Sequence, residues 1–221
     1  VAVLSVALLG PALRAGYVLR GDEVFVPDQV LLPWMVGAEG GLPRAVPQDA
    51  VVAALTGPVP GWIWEKAALL AALLLLGTGT ARLVRGAGRG GMVVAAAVAV
   101  WSGYVSERLL LGHWSLVLAV GALPWALAAA DRARDGSRGA SATWLLWCGL
   151  ASLTPSGGLL VVGASLPVLL SRGPAPVRGR AVAALLAGVL QLPWLIPALQ
   201  HGAAQSAASG AEVFAARAEG P

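Results

Sequence analysis

Residues 142–170 read ATWLLWCGLASLTPSGGLLVVGASLPVLL, an apolar stretch with a polar break, TPSGG, at 154–158. Pro removes a backbone donor and two Gly permit a reversal, so this break can end one helix and start another. Each arm is then roughly 12 to 14 residues, or about 18 to 21 Å of helix, which is short of the ~30 Å core of a bilayer. The stretch predicts a helical hairpin, 142–153 and 157–170, that stops partway through a membrane.

Arginine-rich loops flank this stretch on both sides and predict the topology. Three loops, at 82–89, 131–138 and 172–180, hold nine of the fifteen Lys and Arg residues and only two acids, a net charge of +7, whereas the rest of the chain carries −3. Short loops rich in Arg remain in the cytoplasm. Both ends of 142–170 should therefore be cytoplasmic, as a hairpin allows. The alternative is a single Pro-kinked span with one Arg loop on the opposite side, because the charge rule is statistical.

The composition places the whole chain in a lipid bilayer. Of its 221 residues 57% are hydrophobic and 12% charged, about half the charged fraction of soluble domains. The apolar runs do not alternate with polar residues, so helices are favoured over a β-barrel. The three Arg loops account for the net charge of +4, which removes the case for a nucleic-acid partner. Cys148 is the only cysteine, so a disulfide framework and a thiolate metal site are excluded.

The fold class predicted is an all-α, polytopic transmembrane helical bundle. Besides the hairpin, spans are predicted at 1–19, 62–84, 92–106, 114–130 and 181–199, and 20–61 forms a long external loop. We expect a multi-pass protein of the plasma membrane, with the acidic loop outside and the Arg loops cytoplasmic. The first residue is already apolar and Pro221 follows no natural stop, so we expect the N-terminal part of a longer protein.

Carboxylates open the external loop directly after the first predicted span. Asp22, Glu23 and Asp28 fall within seven positions, beside apolar residues. Such carboxylates at an interface can coordinate a divalent cation, or one can act as a general base when partial burial raises its pKa. The alternative is a solvated loop whose acids cap helices. For Asp49, further along the loop, a place in the first turn of an interfacial helix is the stronger interpretation.

A second polar cluster lies between two apolar spans at 104–114, YVSERLLLGHW. On a helix Tyr104, either Glu107 or Arg108, and Leu111 share one face, so the Arg108 guanidinium could bind a phosphate. His113 could carry a proton or contact an anion. Ionisable groups at this depth are costly unless they are paired or functional. The alternative is an outer-surface turn in which these residues have no role in binding.

The chain resembles the GT-C superfamily of integral membrane glycosyltransferases. The segment 101–114, WSGYVSERLLLGHW, is similar to the signature W-N-P-[FY]-V-x-E-R-L-L-x-G-H-W of actinobacterial membrane proteins of this type, including arabinofuranosyltransferase-like ones. The sequence departs from it at Ser102-Gly103, where Asn-Pro is usual. The break at 154–158 is similar to their broken-helix motif. The topology of most of the chain agrees with the family.

The resemblance implies a glycosyltransferase. Its donor would be a polyprenyl-phosphate-linked sugar, and its acceptor a cell-envelope glycan on the outer face. It implies that Asp22 is the catalytic carboxylate, with Glu23 and Asp28 as competitors. It also implies that Arg108 and His113 bind the phosphate of the substrate and that Glu107 and Tyr104 belong to the same substrate-binding set. Thr154 and Ser156 would shape the same cavity. The alternative class is a non-catalytic polytopic membrane protein, such as a transporter, a flippase or an envelope-assembly scaffold.

Overall fold

The computed structural model describes residues 1–23, 25–38 and 45–201, and this part of the chain is helical. An isolated bridge between Arg20 and Glu23 is its only β-pairing among these residues. The helices are α1 (Ala2–Leu9), α2 (Gln48–Thr56), α3 (Gly61–Leu83), α4 (Gly88–Val100), α5 (Gly103–Leu110), α6 (Trp114–Arg134), α7 (Ala140–Ala151), α8 (Pro155–Leu170), α9 (Val177–Val189) and α10 (Leu192–His201).

Three helical segments of the described chain are long and apolar enough to cross a membrane. They are Gly61–Leu83, Arg85–Leu110 and Trp114–Arg134. A fourth candidate is the pair α9 and α10, which bend by 52° at a short break. An all-helical chain with three or four such segments is a membrane protein by length and composition.

The centre of the bundle is the parallel pair α3 and α6. Gly121 of α6 abuts the backbone of Ala72, and one turn further Trp125 Nε1 donates to the Leu75 carbonyl at 2.9 Å. A side chain at Gly121 would meet the Ala72 carbonyl. Close approach of small residues is how helices associate in lipid. The two helices therefore run side by side, with Gly61 and Trp114 near one end of the bundle and Leu83 and Arg134 near the other.

The helices α7 and α8 form an antiparallel hairpin against α6. Trp144 Nε1 donates to Ser165 Oγ at 2.8 Å across the pair, and Gly157 lies against Ala119 and the Ala151 carbonyl near the reversal. The loops that enter and leave the hairpin meet at the other end, where Ala175 N donates to the Arg134 carbonyl at 3.1 Å. We call this the arginine end of the bundle, and the opposite end, with the reversal, the tip end.

The hairpin arms are shorter than the helix they pack on. With 12 and 16 residues, α7 and α8 extend about 18 and 24 Å, against about 31 Å for the 21 residues of α6. The following helix ends at the same level, because Gln191 Nε2 donates to Ser152 Oγ at 2.7 Å. The reversal at 152–154 thus lies below the tip-end terminus of α6.

The reversal differs from the prediction in its position. Pro155, Gly157 and Gly158, expected in the break, are the first residues of α8. Pro is favoured at the start of a helix because its missing N–H has no partner there in any case. The two glycines serve close packing, since side chains at these positions would meet Ala119 and the Gln191 amide.

Three predicted spans also differ in extent. The first, 1–19, is α-helical only to Leu9, because Gly10 has a positive φ and Pro11 follows it; a 3₁₀ turn at Gly10–Leu13 ends the helical part. The span at 92–106 is interrupted after Val100, where the Ser102 hydroxyl accepts from Val105 N and begins α5. The span at 181–199 corresponds to the bent pair α9 and α10.

Candidate active site

Two tight turns contact each other at the tip end, and they carry three of the predicted site residues, Asp22, Glu23 and His113. One turn, at 20–23, lies in the loop between α1 and α2, and the other, at 109–113, joins α5 to α6. Gly21 and Gly112 both have positive φ, and a side chain on either would strike the backbone of the opposite turn. Asp22 N donates to the Leu111 carbonyl at 2.9 Å. The absence of two side chains therefore lets the turns touch and places Asp22 beside His113.

Asp22, His113 and Arg108 form a continuous chain of polar contacts. Asp22 Oδ2 lies 3.2 Å from His113 Nε2, and His113 Nδ1 lies 3.2 Å from Arg108 Nη1. A guanidinium only donates hydrogen bonds, so Nδ1 accepts from Arg108 and the ring proton is on Nε2. His113 is then the neutral tautomer that donates to the Asp22 carboxylate. This contact orients one carboxylate oxygen and leaves Oδ1 free for another partner.

Two neighbours on α5 hold the Arg108 guanidinium. Glu107 Oε1 lies 3.6 Å from Arg108 Nη2, and the guanidinium carbon lies 5.4 Å from the centre of the Tyr104 ring. Arg108 Nε is buried and has no hydrogen-bond partner in the described residues. The cation is therefore fixed in place while part of its donor capacity is unused, which suits it to an incoming anion.

A cavity of about 610 Å³ opens over this chain of contacts. Asp22, Arg108 and His113 line one side, and Thr154 and Ser156 line it from the hairpin. Volumes of this size are typical of small-molecule sites. The two docked turns, the end of α5 and the hairpin reversal thus contribute side chains to one cavity.

The other predicted site residues do not line the cavity. Asp28 is exposed to solvent in the loop, and Glu107 and Tyr104 contact Arg108 from behind. Glu23 points into the protein and is 2% exposed. Of the three carboxylates proposed as catalytic, Asp22 alone lines the cavity.

Glu23 belongs to a separate buried cluster with Glu65 and Lys66 at the start of α3. The Glu65 carboxylate accepts from Val18 N at 3.0 and 3.1 Å and from Lys66 Nζ at 3.2 Å. Burial, and to a smaller extent the Glu65 carboxylate, raise the pKa of Glu23 to about 8, while Lys66 lowers it. Near neutral pH Glu23 is therefore mainly protonated.

Replacing Glu23 with Gln should make the protein more stable to alkaline pH. Between pH 4.5 and about 8 the folded chain keeps a proton on Glu23 that the unfolded chain has lost, so stability falls as pH rises through this window. Wild type should lose on the order of 4 kcal/mol more than Glu23→Gln between pH 5 and 9. Thermal unfolding in detergent at several pH values measures this difference.

The matched control for this prediction is Asp28→Asn, which removes an exposed carboxyl from the same loop. It should leave the pH dependence of wild type unchanged. Parallel pH curves for wild type and Glu23→Gln would contradict the assignment of a buried, protonated Glu23.

The cavity wall also contains polar residues that were not predicted as site residues from the sequence, among them Gln48 and Asp49 on α2, Gln29 and Ser115. Partial burial raises the pKa of Asp49, and a hydrogen bond from the Gln48 side chain opposes this. Gln29 Nε2 reaches the Asp49 carbonyl at 3.4 Å and brings α2 onto the cavity. The adjacent Gln and Asp before an apolar run was a signal, but it equally fitted a helix start.

Neither a metal site nor a comparison with known proteins assigns a function to the cavity. Residues 1–23, 25–38 and 45–201 contain no group of three or more His, Cys, Asp or Glu side chains that could hold a metal ion. No protein-family model matches the chain, and no curated protein or solved structure is found to match it.

Proposed function

We propose that the protein is a GT-C-type membrane glycosyltransferase that transfers a sugar from a polyprenyl-phosphate donor to a cell-envelope acceptor on the outer face. The observation that carries the proposal is the chain Asp22–His113–Arg108, which lines one cavity with contacts of 3.2 Å each. It combines a carboxylate that can take a proton with a cation that can receive a phosphate.

The proposed chemistry is a single displacement at the anomeric carbon. The acceptor hydroxyl oxygen forms the new bond and gives its proton to Asp22 Oδ1. The bond between the anomeric carbon and the phosphate oxygen breaks, and its electron pair leaves with the polyprenyl phosphate. Arg108 stabilises the negative charge that develops on this phosphate. His113 holds Asp22 in position through Oδ2 and separates the carboxylate from the guanidinium.

The hairpin supports the proposal because Thr154 and Ser156, at and just after its reversal, line the same cavity. Backbone that turns at membrane depth is tolerated only against protein or a water-filled cavity. The reversal at 152–154 borders the cavity wall. A half-membrane hairpin would thus form the floor of a site whose substrate is itself embedded in lipid.

The proposed orientation puts the cavity outside and the arginine end in the cytoplasm of a plasma-membrane protein. The three Arg loops gather at one end, since Arg82 and Arg132 line the same small cavity and the loop at 171–176 bonds to Arg134. A concentration of Arg at one membrane face is typical of the cytoplasmic side.

Sealed membrane vesicles of both orientations test the function and its sidedness together. With labelled polyprenyl-phosphate sugar in the bilayer and a membrane-impermeant glycan acceptor added to the medium, right-side-out vesicles that contain the protein should transfer label to the acceptor. Inverted vesicles should do so only after permeabilisation. Vesicles without the protein provide the background.

Two outcomes would contradict the proposal. Absence of transfer in both orientations, with donor present, would reject the glycosyltransferase. Movement of the intact lipid-linked sugar between leaflets without transfer would instead support a flippase.

A further inference from the structure

A second cavity lies at the arginine end, between the ends of α3, α6 and α8. Its volume is about 330 Å³, and its charged lining consists of Arg82, Arg85 and Arg132 together with Asp131. The cavity is separated from the candidate active site by most of the length of α6. None of the chemistry proposed above uses it.

The three arginines carry charge that no acid of the described residues neutralises. Asp131, the one acid in the lining, bonds through Oδ1 to Arg134 Nη2 at 2.8 Å, so it is already paired with an arginine outside the cavity. Arg82, Arg85 and Arg132 form no ion pair within residues 1–23, 25–38 and 45–201. Three like charges at one cavity repel one another unless an anion lies between them.

One of these cations is held in place by an aromatic ring. The Arg82 guanidinium lies over Trp125 at 5.7 Å from the ring centre, and Trp125 is itself fixed by its hydrogen bond to Leu75. A contact with the face of an indole leaves the N–H groups of the guanidinium free to donate to another partner. Arg82 is thus oriented for a ligand without using its donors.

The remaining wall of the cavity is apolar. Leu83, Leu127 and Val168 line it, one from each of the three helices. Leu83 and Val168 lie at the ends of their helices, next to the arginine loops, and Leu127 lies about two turns before the end of α6. A ligand that fits this wall and the arginines has an anionic head beside a hydrocarbon part.

We propose that this cavity binds the headgroup of an anionic phospholipid of the cytoplasmic leaflet, with the phosphate diester on Arg82, Arg85 and Arg132. A free phosphate shares the chemistry of the head. The apolar wall and the position at the helix ends favour the lipid, whose acyl chain packs beside Leu83 and Leu127. Basic pockets between spans on the cytoplasmic side are suited to such headgroups.

The test compares lipid binding to purified protein in a neutral detergent, by native mass spectrometry with added lipid. Phosphatidylglycerol should bind in preference to phosphatidylcholine. The affinity for phosphatidylglycerol should fall about fivefold for each arginine replaced, and about a hundredfold for the triple variant Arg82→Gln, Arg85→Gln and Arg132→Gln. The triple Lys variant at the same positions keeps the charge and should keep most of the binding.

A matched triple variant controls for net charge. Arg138→Gln, Arg172→Gln and Arg178→Gln remove the same charge from exposed positions at the same end, outside the cavity. This variant should bind phosphatidylglycerol nearly as wild type does. An equal loss in both triple variants, or equal binding of phosphatidylcholine, would overturn the site.

Inorganic phosphate distinguishes the two sources of the anion. At concentrations that match the added lipid, it should neither bind measurably nor displace phosphatidylglycerol. Displacement by inorganic phosphate alone would assign the cavity to a free anion and overturn the lipid. If the triple Gln variant does not fold, the three single variants give the same comparison, since each should show its own fivefold loss.

Discussion

Asp22→Asn is expected to lower sugar transfer by about a thousandfold, within the range for loss of a general base. The amide has the shape of the carboxylate, and its oxygen can still accept from His113 Nε2, now 3.2 Å from Asp22 Oδ2. It cannot take a proton from the acceptor hydroxyl. Transfer from a polyprenyl-phosphate sugar in membranes that contain the protein measures the loss.

The chain offers a close control for this substitution. Asp28→Asn removes a carboxylate from the same loop, six residues away, that is exposed and outside the cavity. It should transfer sugar at the wild-type rate. If Asp22→Asn transferred sugar at the wild-type rate, Asp22 would not be the base. If only Asp49→Asn lost activity, Asp49 would be the base instead.

Gly112→Ala should disable the same site without touching a charged residue. The φ of Gly112 is +78°, where an L side chain costs about 1–2 kcal/mol. An added methyl would also meet the backbone of Arg20, Asp22 and Glu23. The two turns must then separate, and a displacement of about 1 Å in a site can cost about a hundredfold in rate. We expect that loss, with lower thermal stability.

Gly139→Ala separates these two effects. Gly139 has a φ of +71°, close to that of Gly112, but its missing side chain would meet no atom within 4 Å. It should cost about 1–2 kcal/mol in stability and leave transfer unchanged. Equal transfer by the two variants would mean that contact between the turns does not position Asp22.

Charge and breaker residues carried most of what the sequence could predict about the fold. The Arg loops on both sides of 142–170 required its ends to be on one side, and the structure has α7 and α8 antiparallel with their outer ends together. The exact residues at which the hairpin reverses were harder to predict. Pro155 and the two glycines can each end a helix or begin one, and the packing of Gly157 against Ala119 and of Gly158 against Gln191 decides between these roles.

The site was predicted in part for a similar reason. Asp22, Arg108 and His113 were identified because few ionisable residues interrupt the apolar sequence, and they meet at one cavity. The burial of Glu23 could not be predicted from the sequence, because nothing local distinguishes two adjacent acids in a turn. Only the fold shows that Glu65 and Lys66 lie near Glu23. The place of Asp49 on the cavity wall could not be predicted either, because it depends on where α2 packs in the fold.

The small residues of α6 have a consequence for how this protein tolerates sequence change. Alanines face its helical neighbours almost without exposure at Ala119, Ala122, Ala126, Ala129 and Ala130. In water, enlarging a core side chain adds apolar burial, but lipid offers no such gain, and here extra volume only forces backbones apart. The positions along α6 therefore set an upper limit on side-chain size. Stabilising substitutions should be sought on the lipid-facing surfaces of the outer helices, where volume is free to vary.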